Sequence, residues 1–350
     1  MRSPPAFHLV ANRTKKLALV ILVIISCLTA LYATFWYIIA AQLENYVLRW
    51  LDKRPGVAGE FIGVTGFPRA LHFSLNNISV NGSIPRKWKL SGFDLDMSVV
   101  PWAPRVINYW VKGTSQFTSP ATAINRVLKI DIGIGGGVLK LNERNKIQGN
   151  FRADGLNIDR HDKKFVSVRA IDIDFAWRGY GVDNNGVSPP FSIAFVAQGV
   201  RITDLWRNPR GINWAAIRFR ADVEGLLRQG TIYKVLSSWR DAGGVLQITE
   251  LVAEDGPVVL GGRGTVALDA DLQPQAALTL RVEGGTKIID KLTAAGFLQS
   301  VEATAAKILF NVLAKQHARD KSYVEVPLTI QDSVLSAGKY QLMQLPFVEW

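Results

Sequence analysis

The chain has 350 residues, 48% of them hydrophobic and 20% charged, with 41 basic against 29 acidic side chains and a single cysteine. This composition describes a folded chain, not a disordered one, and leaves room for one large domain or two ordinary ones. Four of the basic residues precede residue 17, so the remainder carries 37 against 29; the excess is scattered, and no nucleic-acid partner is expected.

From Leu17 to Leu43 the chain runs for 27 residues without a formal charge, between Arg13, Lys15 and Lys16 on one side and Glu44 on the other. A bilayer's hydrocarbon core, about 30 Å thick, takes roughly 20 helical residues to cross. The run is therefore expected to be a transmembrane helix. The basic residues before it place residues 1–16 in the cytoplasm, and Phe35, Trp36 and Tyr37 fit an aromatic belt at the opposite interface. The bulk of the chain is then expected in the periplasm, held by a single pass through the inner membrane. A cleaved signal peptide has a shorter apolar region, about 7–15 residues, and a small-residue cleavage site. Ile24-Ile25-Ser26-Cys27 loosely resembles a lipobox, yet Leu28 to Ala41 stay apolar where a lipoprotein turns polar. Cys27 reads as a small side chain within the span. The exported part then has no cysteine, which removes disulfides and thiolate metal sites.

Gln42 to Lys53 continues the helix, with Leu43, Tyr46, Val47, Trp50 and Leu51 recurring at helical spacing, and Arg54-Pro55-Gly56 ends it. The period then becomes two. Leu71, Phe73 and Leu75 alternate with polar residues, as do Phe93 to Val99, Ile217 to Val223 and Leu278 to Val282, the pattern of half-buried antiparallel strands. Turn signals separate them at Asn81-Gly82, Gly135-Gly136-Gly137, Asp183 to Gly186, Asp241 to Gly244 and Asp255-Gly256-Pro257. Within Phe165 to Trp177, Val166, Val168 and Ala170 lie on one phase and Ile171, Ile173 and Phe175 on the other, which predicts a bulge near Ala170–Ile171. A short helix is predicted over Tyr233–Trp239. An amphipathic one is predicted over 286–315, with Ile288, Ile289, Leu292, Val301 and Ile308 on its apolar face and Gly296 as a potential break. Ser188-Pro189-Pro190 divides the exported part into 44–187 and 188–350. The expected fold is thus a transmembrane helix over 17–43, then a β-rich α+β domain of curved antiparallel sheet with one long C-terminal helix.

No sequence motif marks an active site. Histidine occurs at four positions only, and no metalloprotease, serine-hydrolase or Walker pattern is present. Gly133 to Gly137 reads as a hairpin turn rather than a phosphate loop, because Val138 to Leu141 continues as strand. Asp94/Asp96 and Asp172/Asp174 place two carboxylates each on one strand face; paired acids can serve calcium or acid–base chemistry, but their alternation with large apolar residues reads as a solvated face. No catalytic residue, cofactor or metal is expected. Trp88, Trp102, Trp110, Trp177, Trp206, Trp214 and Trp239 are spread along the exported part, and a sheet curved around an apolar groove would use them to hold acyl chains.

Thr65-Gly-Phe-Pro68, the helix ending at Trp50, Glu250-Leu with Gly256-Pro257-Val258 and Gly262-x-Gly264, Leu268-Asp269, and the closing Val326-Pro-Leu-Thr-Ile-Gln-Asp with Gly338 and Leu345-Pro346 occur in a characteristic order. In these features the chain resembles an uncharacterised bacterial family, the domain of unknown function 2125 family. It departs at Ile330 to Ser333, where a glycine is usual after the aspartate. The resemblance implies an envelope protein anchored in the inner membrane, with a sheet pattern similar to AsmA-like lipid-handling proteins, and it implies no catalytic residue. The expected function is non-enzymatic: binding lipid or envelope components in an apolar groove, for envelope maintenance or lipid transfer. The alternative is a scaffold that meets envelope proteins through its sheet edges. Expected partners are the membrane lipids around the anchor, a lipid ligand, and an envelope protein.

Overall fold

The computed structural model describes residues 7–54, 56–82, 87–119, 126–142, 146–160, 163–179, 190–203, 212–228, 230–294, 299–313, 315–316, 322–348 and 350. Helix α1 (Phe7–Asp52) is continuous through the apolar run and its amphipathic extension. Among the described residues it is the one helix long and apolar enough to cross a membrane. It has two functional lengths. From Leu17 to Phe35 the side chains are mostly exposed, 19 residues that cover about 28 Å at about 1.5 Å each. From Trp36 onward one face turns inward, and Trp36, Ala40 and Val47 are buried against the sheet. The apolar run up to Leu43 thus includes eight residues that belong to the folded domain as much as to a span.

Among the described residues all strands join one antiparallel sheet. In chain order they are β1 (Val57–Thr65), β2 (Leu71–Gly82), β3 (Trp88–Val99), β4 (Val106–Lys112), β5 (Thr114–Ser119), β6 (Arg126–Leu141), β7 (Ile147–Arg160), β8 (Lys163–Trp177), β9 (Phe191–Ile202) and β10 (Ile212–Glu224). After α2 (Ile232–Asp241) come β11 (Val245–Asp255), β12 (Val258–Leu268) and β13 (Pro274–Glu283). Helices α3 (Gly285–Ala294) and α4 (Ser300–Leu313) precede β14 (Lys315–Gln316), β15 (Ser322–Gln331), β16 (Val334–Ala337) and β17 (Tyr340–Gln344). Each strand pairs with its sequence neighbour, except that β4 and β5 lie end to end between β3 and β6, and β15 passes β14 to pair with β13. Short hairpins between strands of alternating pattern leave few other solutions.

The expected division near Ser188–Pro190 does not separate two sheets: β8 and β9 pair from Val166↔Ile202 to Trp177↔Phe191. The long helix expected over 286–315 is two helices, α3 and α4; the predicted break at Gly296 falls outside the described residues, as do the Asp183–Gly186 turn, Ser188 and Pro189. The Gly135–Gly137 turn is corrected: these glycines lie inside β6, paired with Val111, Trp110 and Tyr109 on one side and Ala153, Arg152 and Phe151 on the other. A Cβ on Gly137 would overlap the carbonyl oxygen of Asn150 and press on the Tyr109 hydroxyl, so glycine is needed for close strand contact rather than for a turn.

The phase change in β8 is real but is not a local bulge. Register is kept from Ile147↔Trp177 to Leu156↔Val168. Instead, a line of unusual backbone crosses the sheet: Asn77 (φ 48°), Gly92 (95°), Gly113 (96°, between β4 and β5), Gly155 (83°) and Gly199 (59°) follow one another, with Gly133 and Arg169 in the same row. One extra residue per strand at this line restores the same face on both sides, so Val168 and Val200 cluster with Ile171 and Ala197. Two substitutions separate the two uses of glycine. At Gly155 nothing lies within 4 Å of an added Cβ, so Gly155→Ala is expected to cost only left-handed strain, about 1–2 kcal/mol. Gly137→Ala must move the β7 backbone and is expected to cost about 3 kcal/mol. Urea midpoints of the two variants in micelles check the order.

Candidate functional site

Register turns the local alternation into a continuous surface. Along one row of partners, Phe73, Met97, Tyr109, Gly137, Phe151 and Ile173 follow one another across β2, β3, β4, β6, β7 and β8. The row goes on through Phe195, Phe219, Leu251, Gly262, Leu280 and Val326 on β9 to β13 and β15. Every member is apolar or aromatic, or a glycine that makes room for one. At about 4.8 Å per strand the row is on the order of 50 Å long, well beyond the roughly 30 Å of a bilayer's hydrocarbon core. Rings meet across it: Tyr109 stacks on Phe151 at 6.4 Å, and Phe195 on Phe219 at 5.4 Å. Burial raises the Tyr109 phenol's pKa, and its hydroxyl donates to the Asn150 carbonyl at 2.8 Å.

The adjacent row faces the other way and is polar. Ser74, Asp96, Trp110, Gly136, Arg152 and Asp172 follow in register. Its acids are engaged with neighbours. Lys112 forms an ion pair with Asp96, which also accepts from Ser74 Oγ at 2.7 Å; these contacts hold the Asp96 carboxyl below its ordinary range, the Lys112 bond contributing most. Arg152 pairs with Asp172 at 2.8 Å, and Arg218 bridges Glu250 and Glu254. Asp94 accepts the Asn77 amide at 2.7 Å, capping the line of bends. An open depression of about 450 Å³ on this face has Lys140, Asp174, Arg220 and Asp222 in its lining, together with apolar atoms of Val138, Phe175 and Ile193.

Small residues report which way the sheet wraps. On the apolar face Ala153 and Ala221 are 2% and 1% exposed, whereas on the polar face Ala176 and Ala194 are only half-buried and Val196 is 36% exposed. The difference fits a curved sheet closed toward its apolar side. The larger apolar side chains there, among them Phe151, Phe195 and Phe219, remain half-buried. Buried clusters form where α1 lies on β1–β3 and along the line of bends around Val168, Ala197 and Val200.

The seven tryptophans divide. Trp88 stacks on Phe117 at 6.1 Å, Trp214 joins the cluster at the bend, and Trp177 continues the phase of Phe175, so these three lie on the apolar face. Trp110 belongs to the polar row and is 42% exposed. Trp239 is buried in α2, its Nε1 donating to the Glu224 carbonyl at 2.7 Å, where it closes the β10–β11 connection. Trp102 stands exposed in the β3–β4 turn, and Trp206 lies outside the described residues. The residues that dominate the apolar row are instead Phe and Tyr. Phe151, Phe195 and Phe219 sit at the even spacing of their own strands, a signal that identifies a face only once register is known.

The family described as "Uncharacterized protein conserved in bacteria (DUF2125)" matches residues 36–346. The matched span opens at Trp36, the first buried hydrophobic residue among the described side chains of α1. No curated protein and no solved structure matches the chain.

Proposed function

The chain belongs to the family of uncharacterized proteins conserved in bacteria (DUF2125), and from that premise we propose that it is a non-enzymatic, single-pass inner-membrane protein whose periplasmic sheet holds lipid acyl chains on its apolar face. The observation that carries this reading is the unbroken apolar row across twelve strands, from Phe73 to Val326. Removing such a face from water is favourable by about 25 cal/mol per Å². A hydrocarbon chain does so without asking for a hydrogen bond, and the aromatic rings supply broad contact area. The basic residues before Leu17 support a cytoplasmic N-terminus. Retention of the helix as an anchor is supported by Trp36, Ala40 and Val47, which a cleavage behind the span would strip from the core.

A second reading has its own observation. β17 pairs with β16 on one side, and its residues Tyr340 to Gln344 are all exposed, a strand edge suited to a protein partner. Photocrosslinking in cells separates the two. A photoreactive residue in place of Phe219 is expected to give lipid-mass adducts and one in place of Arg220, on the opposite face, none. Equal lipid labelling at both positions, or no lipid adduct at 219 while a third probe in place of Leu342 on β17 captures protein, would remove the lipid reading.

A further inference from the structure

We infer that the β3–β4 turn, through Trp102, is a second membrane contact that seats the rim of the sheet on the bilayer in which α1 is anchored. The inference rests on the anchor reading above and adds to it a docking surface and an orientation.

The direction of the strands comes from how α1 lies on them. Trp36 and Ala40 pack on Leu71 at the start of β2, while Val47, further along the helix, packs with Phe73, Leu75 and Ile78. Helix and strand therefore run side by side, and the end of the sheet at Leu71 is the end nearest the exposed apolar length of α1. The turn before Leu71 is fastened there. Tyr32 donates its hydroxyl to the Pro68 carbonyl at 2.5 Å, and Phe67 stacks on Tyr37 at 5.9 Å and meets Trp36 edge-on at 5.5 Å. One turn before Tyr32, Leu28 is exposed on the helix surface, as is the adjacent Leu31. The 66–70 turn is thus held at the boundary where an aromatic belt belongs.

Leu71 pairs with Val99, so the residues that follow Val99 leave the sheet at that same rim. They read Val100-Pro101-Trp102-Ala103-Pro104-Arg105, closed by hydrogen bonds from Ala103 and Val106 to the carbonyls of Val100 and Ala103. With strands about 4.8 Å apart, this turn lies roughly 10 Å from the fastened one. Trp102 is 69% exposed at its tip, and Arg69 is exposed on the neighbouring turn. An indole projecting from a proline-bounded turn, beside a cation and next to a membrane helix, suits the headgroup level of a bilayer, where an amphipathic ring keeps its apolar body in lipid and its N–H wet. A single helix leaves the domain free to swivel; a second contact at Trp102 fixes the rim, and with it the near end of the apolar face, against the membrane.

The full chain in vesicles of phosphatidylethanolamine and phosphatidylglycerol tests this. Because Cys27 is the one cysteine, a Cys27→Ser background carrying Ala103→Cys takes a single environment-sensitive fluorophore beside an intact Trp102. Nitroxide lipid labelled at the headgroup is expected to quench that fluorophore at least twofold, and adding Trp102→Ser to abolish most of the quenching. A label at Leu28→Cys reports the anchor itself. If Leu28→Cys is quenched by acyl-chain nitroxide while the label at 103 stays open to aqueous iodide, the second contact is refuted and the anchor stands. Quenching at 103 that survives Trp102→Ser also refutes it, since tethering alone would then explain proximity. If the label at 28 is itself aqueous, the anchor reading fails together with this one.

Discussion

Phe219→Asp is expected to reduce lipid crosslinking from a photoreactive residue at Ile173 by at least tenfold, while Phe219→Leu leaves it within about twofold. Phe219 sits one strand beyond Phe195, and Phe195 is the register partner of Ile173, so the substitution acts two strands from the reporter without touching it. A carboxylate there meets the ring of Phe195 and an apolar face with no cation in its own row. Covering it with a hydrocarbon chain would strand an unpaired charge at a cost of several kcal/mol, and each 1.4 kcal/mol is about a tenfold change in binding. The free protein tolerates the change better, because Phe219 is half-buried and the new carboxylate can reach water. A loss of about 1–2 kcal/mol in unfolding free energy is expected. Ser192→Asp on the polar face should leave crosslinking unchanged. A folded Phe219→Asp protein with full lipid labelling would show that the apolar face is not where lipid binds.

How much of this surface could be read from the chain depends on the range of the information. The helix through Asp52, the alternating strands around Phe73, Leu95, Phe219 and Leu280, the α2 helix at Trp239 and the turn at Gly256 follow from local pattern, and the structure has them all. Gly133 to Gly137 was open to misreading because a glycine run has the same local meaning in a turn and in a crowded strand. The distinction lies in Tyr109, Asn150 and Phe151, which meet Gly137 only through pairing. The phase change at Ala170–Ile171 is visible in β8 alone, but its cause is a row of seven positions that crosses the sheet from Asn77 to Gly199, which a single strand cannot report. Tryptophans are spread along the whole chain after the span, yet Trp110 has the parity of the polar row and Trp239 plugs a loop. The apolar face is written in the parity of Phe and Tyr positions, and parity across strands is set by register. The helical region after β13 shows the same limit in another form. The pattern over 286–315 reads as one helix with a potential break at Gly296, whereas α3 and α4 are separate helices that pack on each other, with Lys307 paired to Asp290 at 2.6 Å.

Trp36→Ala is expected to lower the unfolding free energy by about 3–5 kcal/mol, the range for deleting a large buried aromatic, and to free the β1–β2 turn before the sheet itself unfolds. Trp36 is 3% exposed, with Ala40 and Leu71 around it and the rings of Tyr37 and Phe67 at 5.2 and 5.5 Å. With Tyr32 and Tyr37 it joins the apolar length of α1 to the β1–β2 turn. Its Nε1 is buried without a hydrogen-bond partner among the described residues, a penalty of about 1–3 kcal/mol already carried by the native protein. Trp36→Phe keeps most of the ring contact and removes that orphan donor, so it is expected to fall within about 1 kcal/mol of the native chain. The pair therefore distinguishes packing from hydrogen bonding at one position. Limited trypsin digestion supplies the local readout, because Arg69 is exposed on the turn that Trp36 helps to hold. Cleavage at Arg69 should accelerate several-fold in Trp36→Ala and little in Trp36→Phe, while cleavage within β6 to β10 stays slow in both. Equal digestion of all three proteins would mean that the helix and sheet are joined by Val47 and its neighbours alone. The aromatic clasp at the rim would then have no part in holding the apolar face to the membrane.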